Sequence, residues 1–262
     1  MTFLTQPPPD FTAFPLAIRE FISGAPLFDS SCSVRARVTF VDKDQGFFLK
    51  TAAKGSLHAE AEMTRYFHSK GLAAEVITYI SDELDWLLTT RILGEDCTSS
   101  AILEQPERLC DLLAECLLML HNTNFSGCPV SNCTERLLTA TERNYRRGQY
   151  DQSLFPDNWG YASAEDAWRV VETQGHLLQT NTLLHGDYCL PNIILHNWSL
   201  GGFIDLGDGG VGDLHVDVFW AIWSLAFNLK TDQYRQRFID VYGRSKVNED
   251  TLRLIAAIEV FG

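Results

Sequence analysis

The chain has 262 residues, 45% apolar and 21% charged, an ordinary globular composition long enough for one large or two small domains with a real core. Its net charge of −13 speaks against nucleic acid, whose phosphates need a basic surface; a cationic partner fits the charge, as does plain solubility. The seven cysteines contain no C-x-x-C pair, so neither a zinc site nor a redox motif is expected, and reduced thiols in a cytoplasmic protein are the simplest account.

Met1 to Phe14 has no basic residue and no apolar stretch of the signal-peptide kind, so no secretion signal is expected there. Val34 to Val41 alternates with the period of a strand, Asp42 to Gly46 reads as its turn, and Phe47 to Lys50 returns as a second strand. Leu57 to Ser69 has helical spacing, closed by Gly71 as a C-cap. Glu75 to Ile80 and Asp85 to Ile92 then suggest two strands around the acidic turn Ser81-Asp82-Glu83.

Beyond Gly94 the pattern becomes helical. Leu109, Leu112, Leu113, Cys116, Leu117 and Leu120 predict a helix over Pro106 to His121. Further helices are expected at 134–147, 163–178, 214–227, 231–242 and 249–261, with short apolar strands at 182–184, 193–196 and 202–204. Val216 to Phe227 is too short to span a bilayer and suits a buried helix, so no membrane association is expected. The resulting architecture is α+β: a small antiparallel-sheet lobe over residues 1–93 and a larger helical lobe over 94–262.

The chemistry is concentrated between Leu183 and Asp217. His185-Gly186-Asp187 is followed by Asn192, and then by Ile204-Asp205-Leu206-Gly207. Phosphoryl transfer needs a carboxylate to position the acceptor hydroxyl, oxygen ligands for magnesium and a cation on the nucleotide phosphates. Asp187 suits the first task, orienting the hydroxyl and accepting its proton. Asn192 and Asp205 suit the second, because Mg2+ is a hard cation that prefers oxygen. Any one of these residues alone would pass for an ordinary loop or turn residue.

The segment His185-Gly186-Asp187-Tyr188-Cys189-Leu190-Pro191-Asn192 resembles the catalytic loop of the aminoglycoside phosphotransferases, above all the aminoglycoside 3'-phosphotransferases or kanamycin kinases. That loop reads H-G-D-x-x-x-x-N where protein kinases read H-R-D-x-x-x-x-N. The similarity runs on through Gly202-Phe203-Ile204-Asp205 and Gly210-Val211-Gly212-Asp213 to Asp217. It implies the two-lobed protein-kinase-like fold and transfer of the γ-phosphoryl group of ATP (or GTP), with Mg2+, to an aminoglycoside hydroxyl. It also implies that Lys50 grips the α/β-phosphates and that Glu60 holds Lys50 in place. The turn Ser30 to Ser33 would cover the phosphates, with the Ser33 hydroxyl among their ligands. Backbone groups of Thr90 and Ile92 would bind the adenine, and Asp217 would support the catalytic loop from below.

On the acceptor side the resemblance implies acidic ligands, here Asp157, Glu259 and the carboxylate of Gly262. Trp223-Ser224 stands where some members have an Arg-Asp pair, and Val260 where a second acid is usual. Aromatic faces at Trp159 and Trp223 would then offer stacking or cation–π contact. Alternative readings are a kinase of another small hydroxylated metabolite and a catalytically silent nucleotide-binding homologue. The expected protein is a cytoplasmic monomer or weak dimer.

Overall fold

The computed structural model describes residues 14–32, 36–151 and 161–262. The contacts divide the chain into two compact units, Met1–Ser99 with Ile193–Gly207, and Ser100–Asn192 with Asp208–Gly262.

The first unit is built on a five-stranded antiparallel sheet. Its strands are β1 (Leu27–Asp29), β2 (Ala36–Val41), β3 (Phe47–Ala53), β4 (Val76–Ser81) and β5 (Leu84–Thr90), in the order β1-β2-β3-β5-β4. Alternation sorts side chains between its two faces. Leu49, Trp86 and Leu88 point to one face, where they pack with Ile18 and Ile22 of helix α1 (Leu16–Ile22). Ala52 and Leu87 point to the other, where they meet Leu57 and Ala61 at helix α2 (His58–Ser69). Lys50 lies two residues from Ala52 and directly opposite Leu87 in the register, so it emerges on the α2 face.

Helix α2 buries Glu60, Ala61, Met63, Thr64 and Phe67 along one stripe. It stops where Gly71 takes φ 73° and the Leu72 N–H reaches back to the Phe67 carbonyl at 2.9 Å, the capping expected there. A second, three-stranded sheet completes this unit, ordered β6 (Glu95–Asp96), β8 (Ile193–His196), β9 (Ser199–Phe203). Asn197 and Trp198 join β8 to β9 with φ of 50° and 59°, the left-handed pair of a tight hairpin. This early turn is why β9 begins at Ser199, ahead of the expected strand.

The second unit is helical: α3 (Ser100–Leu103), α4 (Pro106–His121), α5 (Cys133–Arg146), α6 (Ala164–Gln174), α7 (His215–Leu229), α8 (Arg235–Tyr242) and α9 (Glu249–Glu259). Strands β7 (Thr182–Leu184) and β10 (Gly210–Gly212) pair between them. Helix α4 has the bounds read from its leucine stripe, with Pro106 in its first turn and Leu109, Leu113, Leu117 and Leu120 buried. Asn132, Ser163 and Asn248 cap α5, α6 and α9 through side-chain oxygens. All seven cysteines are free, and no described helix is long and apolar enough to cross a membrane.

Candidate active site

Lys50 leaves the α2 face of the sheet and meets Glu60 in the first turn of α2. Its Nζ donates to both Glu60 oxygens, at 2.9 and 2.7 Å, and to Asp205 Oδ1 at 2.7 Å. All three ammonium protons are thereby engaged. Burial works to lower the Lys50 pKa, but the Glu60 and Asp205 charges outweigh it and hold the pKa above its ordinary value. Asp205 follows β9 in the left-handed region, φ 59°, a strained conformation for a residue with a Cβ. Of the Lys50 partners Glu60 is buried, whereas the Asp205 side chain is 53% exposed.

Asp85 fixes the start of α2. Leu57, the residue before the helix, has no capping side chain; its N–H donates instead to Asp85 Oδ2 at 2.8 Å. Tyr79 and Ser81 donate their hydroxyls to the same fully buried carboxylate. Burial alone would raise the Asp85 pKa, but the hydrogen bonds from Ser81, Gly55, Leu57 and Tyr79 bring it below the ordinary value.

At the expected adenine-binding segment the Thr90 N–H already donates to the Glu75 carbonyl at 2.9 Å, and the Thr90 hydroxyl accepts the Glu75 N–H at 3.0 Å. The Thr90 N–H is therefore already committed and is not the group to offer a nucleotide. Thr90 and Ile92 line a cleft of about 490 Å³ with Glu75, His196 and Gly201, and none of Lys50, Glu60 or Asp205 borders it.

In the second unit the loop after β7 is held by Asp217, the fully buried carboxylate in the first turn of α7. Asp217 accepts the His185 and Gly186 N–H groups, each at 2.8 Å, and meets His121 Nε2 at 3.1 Å; His121 Nδ1 lies 2.7 Å from the Tyr242 hydroxyl. Gly186 is obligatory here: φ is 90°, and a Cβ would lie 2.2 Å from the Asp208 carbonyl oxygen.

The amide of Asn192 donates to the Asp187 carbonyl at 3.0 Å and to its carboxylate at 2.8 Å. With the NH2 group so committed, the Asn192 oxygen is the end left to accept or to coordinate. The Asp187 carboxylate is thus oriented without being neutralised. The Cys189 thiol sits beside it, its pKa driven up by burial and by the Asp187 charge, so it remains a thiol. Among the described residues no group of three His, Cys, Asp or Glu side chains could hold a metal. Asn192 and Asp205 each keep an oxygen of the hard-donor kind that Mg2+ prefers, on their own units.

Glu259, at the end of α9, is half-buried and pushed up to about 8 by burial and by the charges of Asp187 and Asp208, while a hydrogen bond from Trp220 works the other way. Gly262 packs on it: a Cβ there would meet Glu259 Oε2 at 2.7 Å. Asp208, which the sequence reading passes over, therefore shares the surroundings of Asp187 and Glu259. Ser224 is buried, its hydroxyl accepting the Leu190 N–H at 2.9 Å, and Val260 is buried as well, so neither position could carry an exposed acid. Ser33, Asp157 and Trp159 lie outside the described residues.

Comparison with known proteins identifies the family. Residues 30–255 match the profile of the phosphotransferase enzyme family, APH. A Lactococcus lactis protein named "Probable aminoglycoside 3'-phosphotransferase" is 45% identical over 263 aligned positions, covering 100% of both chains. An aminoglycoside 3'-phosphotransferase of Niallia circulans is 29% identical over 82% of this chain and 83% of its own. Among solved structures, an aminoglycoside 3'-phosphotransferase of type VIII superposes with a TM-score of 0.75 at 22% identity, covering 94% of this chain and 97% of its own. A Streptomyces rimosus aminoglycoside phosphotransferase, solved with ADP and streptomycin, gives 0.74 at 18% identity, covering 97% and 99%. These two show a common fold, and with the profile and the full-length relative they establish that the chain belongs to the aminoglycoside phosphotransferase branch of the phosphotransferase enzyme family.

Proposed function

We propose that this protein phosphorylates aminoglycosides of the kanamycin or neomycin kind at a hydroxyl, with ATP as donor, and so confers resistance to them. The observation that carries the reading is the Asp187 carboxylate, aimed by the Asn192 amide on a loop that Asp217 clamps. Asp187 takes the proton of the acceptor hydroxyl as its oxygen bonds to the γ-phosphorus and the bond to the ADP oxygen breaks. Lys50, aligned by Glu60, exchanges its contact with Asp205 for the α/β-phosphates. Mg2+, when bound, neutralises phosphate charge, with Asn192 and Asp205 as its protein ligands. The Thr90 carbonyl and the Ile92 N–H hold the adenine, and the resemblance assigns the Ser33 hydroxyl to the phosphates.

Glu259 and the carboxylate of Gly262 are assigned to the amines of the acceptor, and Asp157 is assigned the same role from the resemblance alone. Buried Ser224 and Val260 favour, as a second reading, an amine acceptor with fewer charges than kanamycin. A silent homologue is disfavoured because Lys50, Glu60, Asp187, Asn192 and Asp205 are all retained. Use of ATP and seven free thiols fit a cytoplasmic enzyme, acting as a monomer or weak dimer.

The test is ADP release with Mg-ATP, or Mg-GTP, across an aminoglycoside panel. Turnover is expected, and Asp187→Asn should lose at least ~100-fold in kcat while still binding nucleotide. Nucleotide binding without turnover on any panel member would shift the reading to another acceptor. Absence of nucleotide binding would end the kinase reading.

A further inference from the structure

Helix α7 carries Trp220, Trp223 and Phe227 at positions i, i+3 and i+7, a spacing that sets them along one side of the helix. Trp220 and Trp223 meet edge to face, 5.5 Å between centroids and 81° between planes. Trp223 and Phe227 are stacked, at 5.0 Å and 9°. The rest of α7 is the buried part, through Val218, Phe219, Ala221, Ile222 and Leu225. The two tryptophans are only half-buried and Phe227 is 55% exposed, so this ladder keeps ring surface in water that a core would have used.

Both ends of the ladder have a chemical character. At the inner end the Trp220 indole donates to the Glu259 carboxylate, which feels the charges of Asp187 and Asp208. Ser224, next to Trp223, binds the Leu190 N–H, so the helix runs along the loop that carries Asp187. At the outer end Lys230 takes the left-handed conformation, φ 57°, and lays its ammonium 4.1 Å from the Phe227 ring centroid. A cation of the chain itself thus already sits on a face of this ladder, as an alkylammonium ligand would. From Trp220 to Phe227 the helix rises about 10 Å, room for more than one sugar ring.

We propose that Trp220, Trp223 and Phe227 form the acceptor platform of this enzyme, a stacking surface for linked amino-sugar rings whose ammonium groups lie over the ring faces and toward Glu259. The proposal rests on the aminoglycoside-kinase reading above and deepens it. It accounts for how acceptor binding tolerates Ser224 and Val260 where charge would otherwise serve: dispersion and cation–π contact take over from ion pairs.

The test is steady-state kinetics with neomycin and with neamine, its truncated two-ring fragment. Trp223→Ala should raise the acceptor KM about tenfold with kcat and the nucleotide KM little changed. Trp223→Phe, which keeps a ring face, should return to within about threefold of wild type. Phe227→Ala should raise the KM more for neomycin, which reaches farther along the ladder, than for neamine. Wild-type turnover is measured first, and its absence with both acceptors sinks the kinase reading itself. Wild-type turnover with acceptor KM unmoved by Trp223→Ala and Phe227→Ala overturns the platform alone. If Trp223→Ala also weakens nucleotide binding, the neomycin-to-neamine KM ratio of the exposed-residue variant Phe227→Ala decides, a changed ratio supporting the platform and an unchanged one overturning it.

Discussion

At Glu259 folding and binding make opposite demands on one carboxyl. Burial and the neighbouring charges of Asp187 and Asp208 favour the neutral form, up to a pKa of about 8. A cationic acceptor needs the carboxylate. The folded protein holds this proton more tightly than the unfolded chain, so stability from Glu259 is complete below about pH 4.5 and is lost progressively up to about pH 8. Glu259→Gln, which stays neutral, should therefore melt at the same temperature as wild type near pH 4.5 and higher than wild type at pH 8.5. Thermal melts of both proteins across that range check it; equal melting temperatures at every pH would show that Glu259 has an ordinary pKa. In turnover the same substitution should raise the acceptor KM at pH 8.5 and leave the nucleotide KM alone.

At the scale of elements, the start of α2 depends on a residue outside the helix. Its N-terminus is tied to β5 through Asp85, and Glu60 stands one turn into the helix, so the Lys50–Glu60 contact is set by a carboxylate that touches neither residue. Asp85→Ala would strand the Tyr79 and Ser81 hydroxyls and the Leu57 N–H, a loss of about 3 kcal/mol. The expected result is a melting temperature lower by roughly 6–12 °C, for a chain of this size, and a raised nucleotide KM. A fall in stability with nucleotide KM unchanged would show that α2 keeps its place without Asp85. Elements with a long apolar period were legible in the sequence: the leucine stripe of Pro106–His121 and the alternation around Lys50 both state their faces. Leu16–Ile22 was not, since seven residues without a capping side chain show too little period. Nor was Gly210–Gly212, whose glycines carry no pattern and exist to fit the backbone against Cys133 and Val130.

For the whole molecule, a motif makes the reactive residues readable while their supports stay hidden. Asp187, Asn192 and Asp205 carry the side chains that phosphoryl transfer asks for, and the resemblance to the family adds Lys50 and Glu60 to the proposed set. Asp85, Asp208, His121 and Trp220 act through tertiary partners distant in sequence, His121 on Asp217 for example, and no local spacing announces them. The one global quantity open to reading from the start is charge. A chain of net charge −13 attracts a polycation and repels a nucleotide, and the two forces are screened alike by salt. Between about 0.01 and 0.5 M salt the screening length shrinks from roughly 30 Å to a few ångströms. The kcat/KM for a polycationic aminoglycoside should therefore fall about tenfold over that range, while that for the nucleotide, bound at the ion-paired Lys50, should not fall. Stopped-time assays at saturating co-substrate separate the two slopes. Parallel slopes would mean that salt acts on the fold or the chemistry rather than on encounter. A flat acceptor slope would mean that Trp223 and its neighbours, and not the charge of the molecule, carry acceptor recognition.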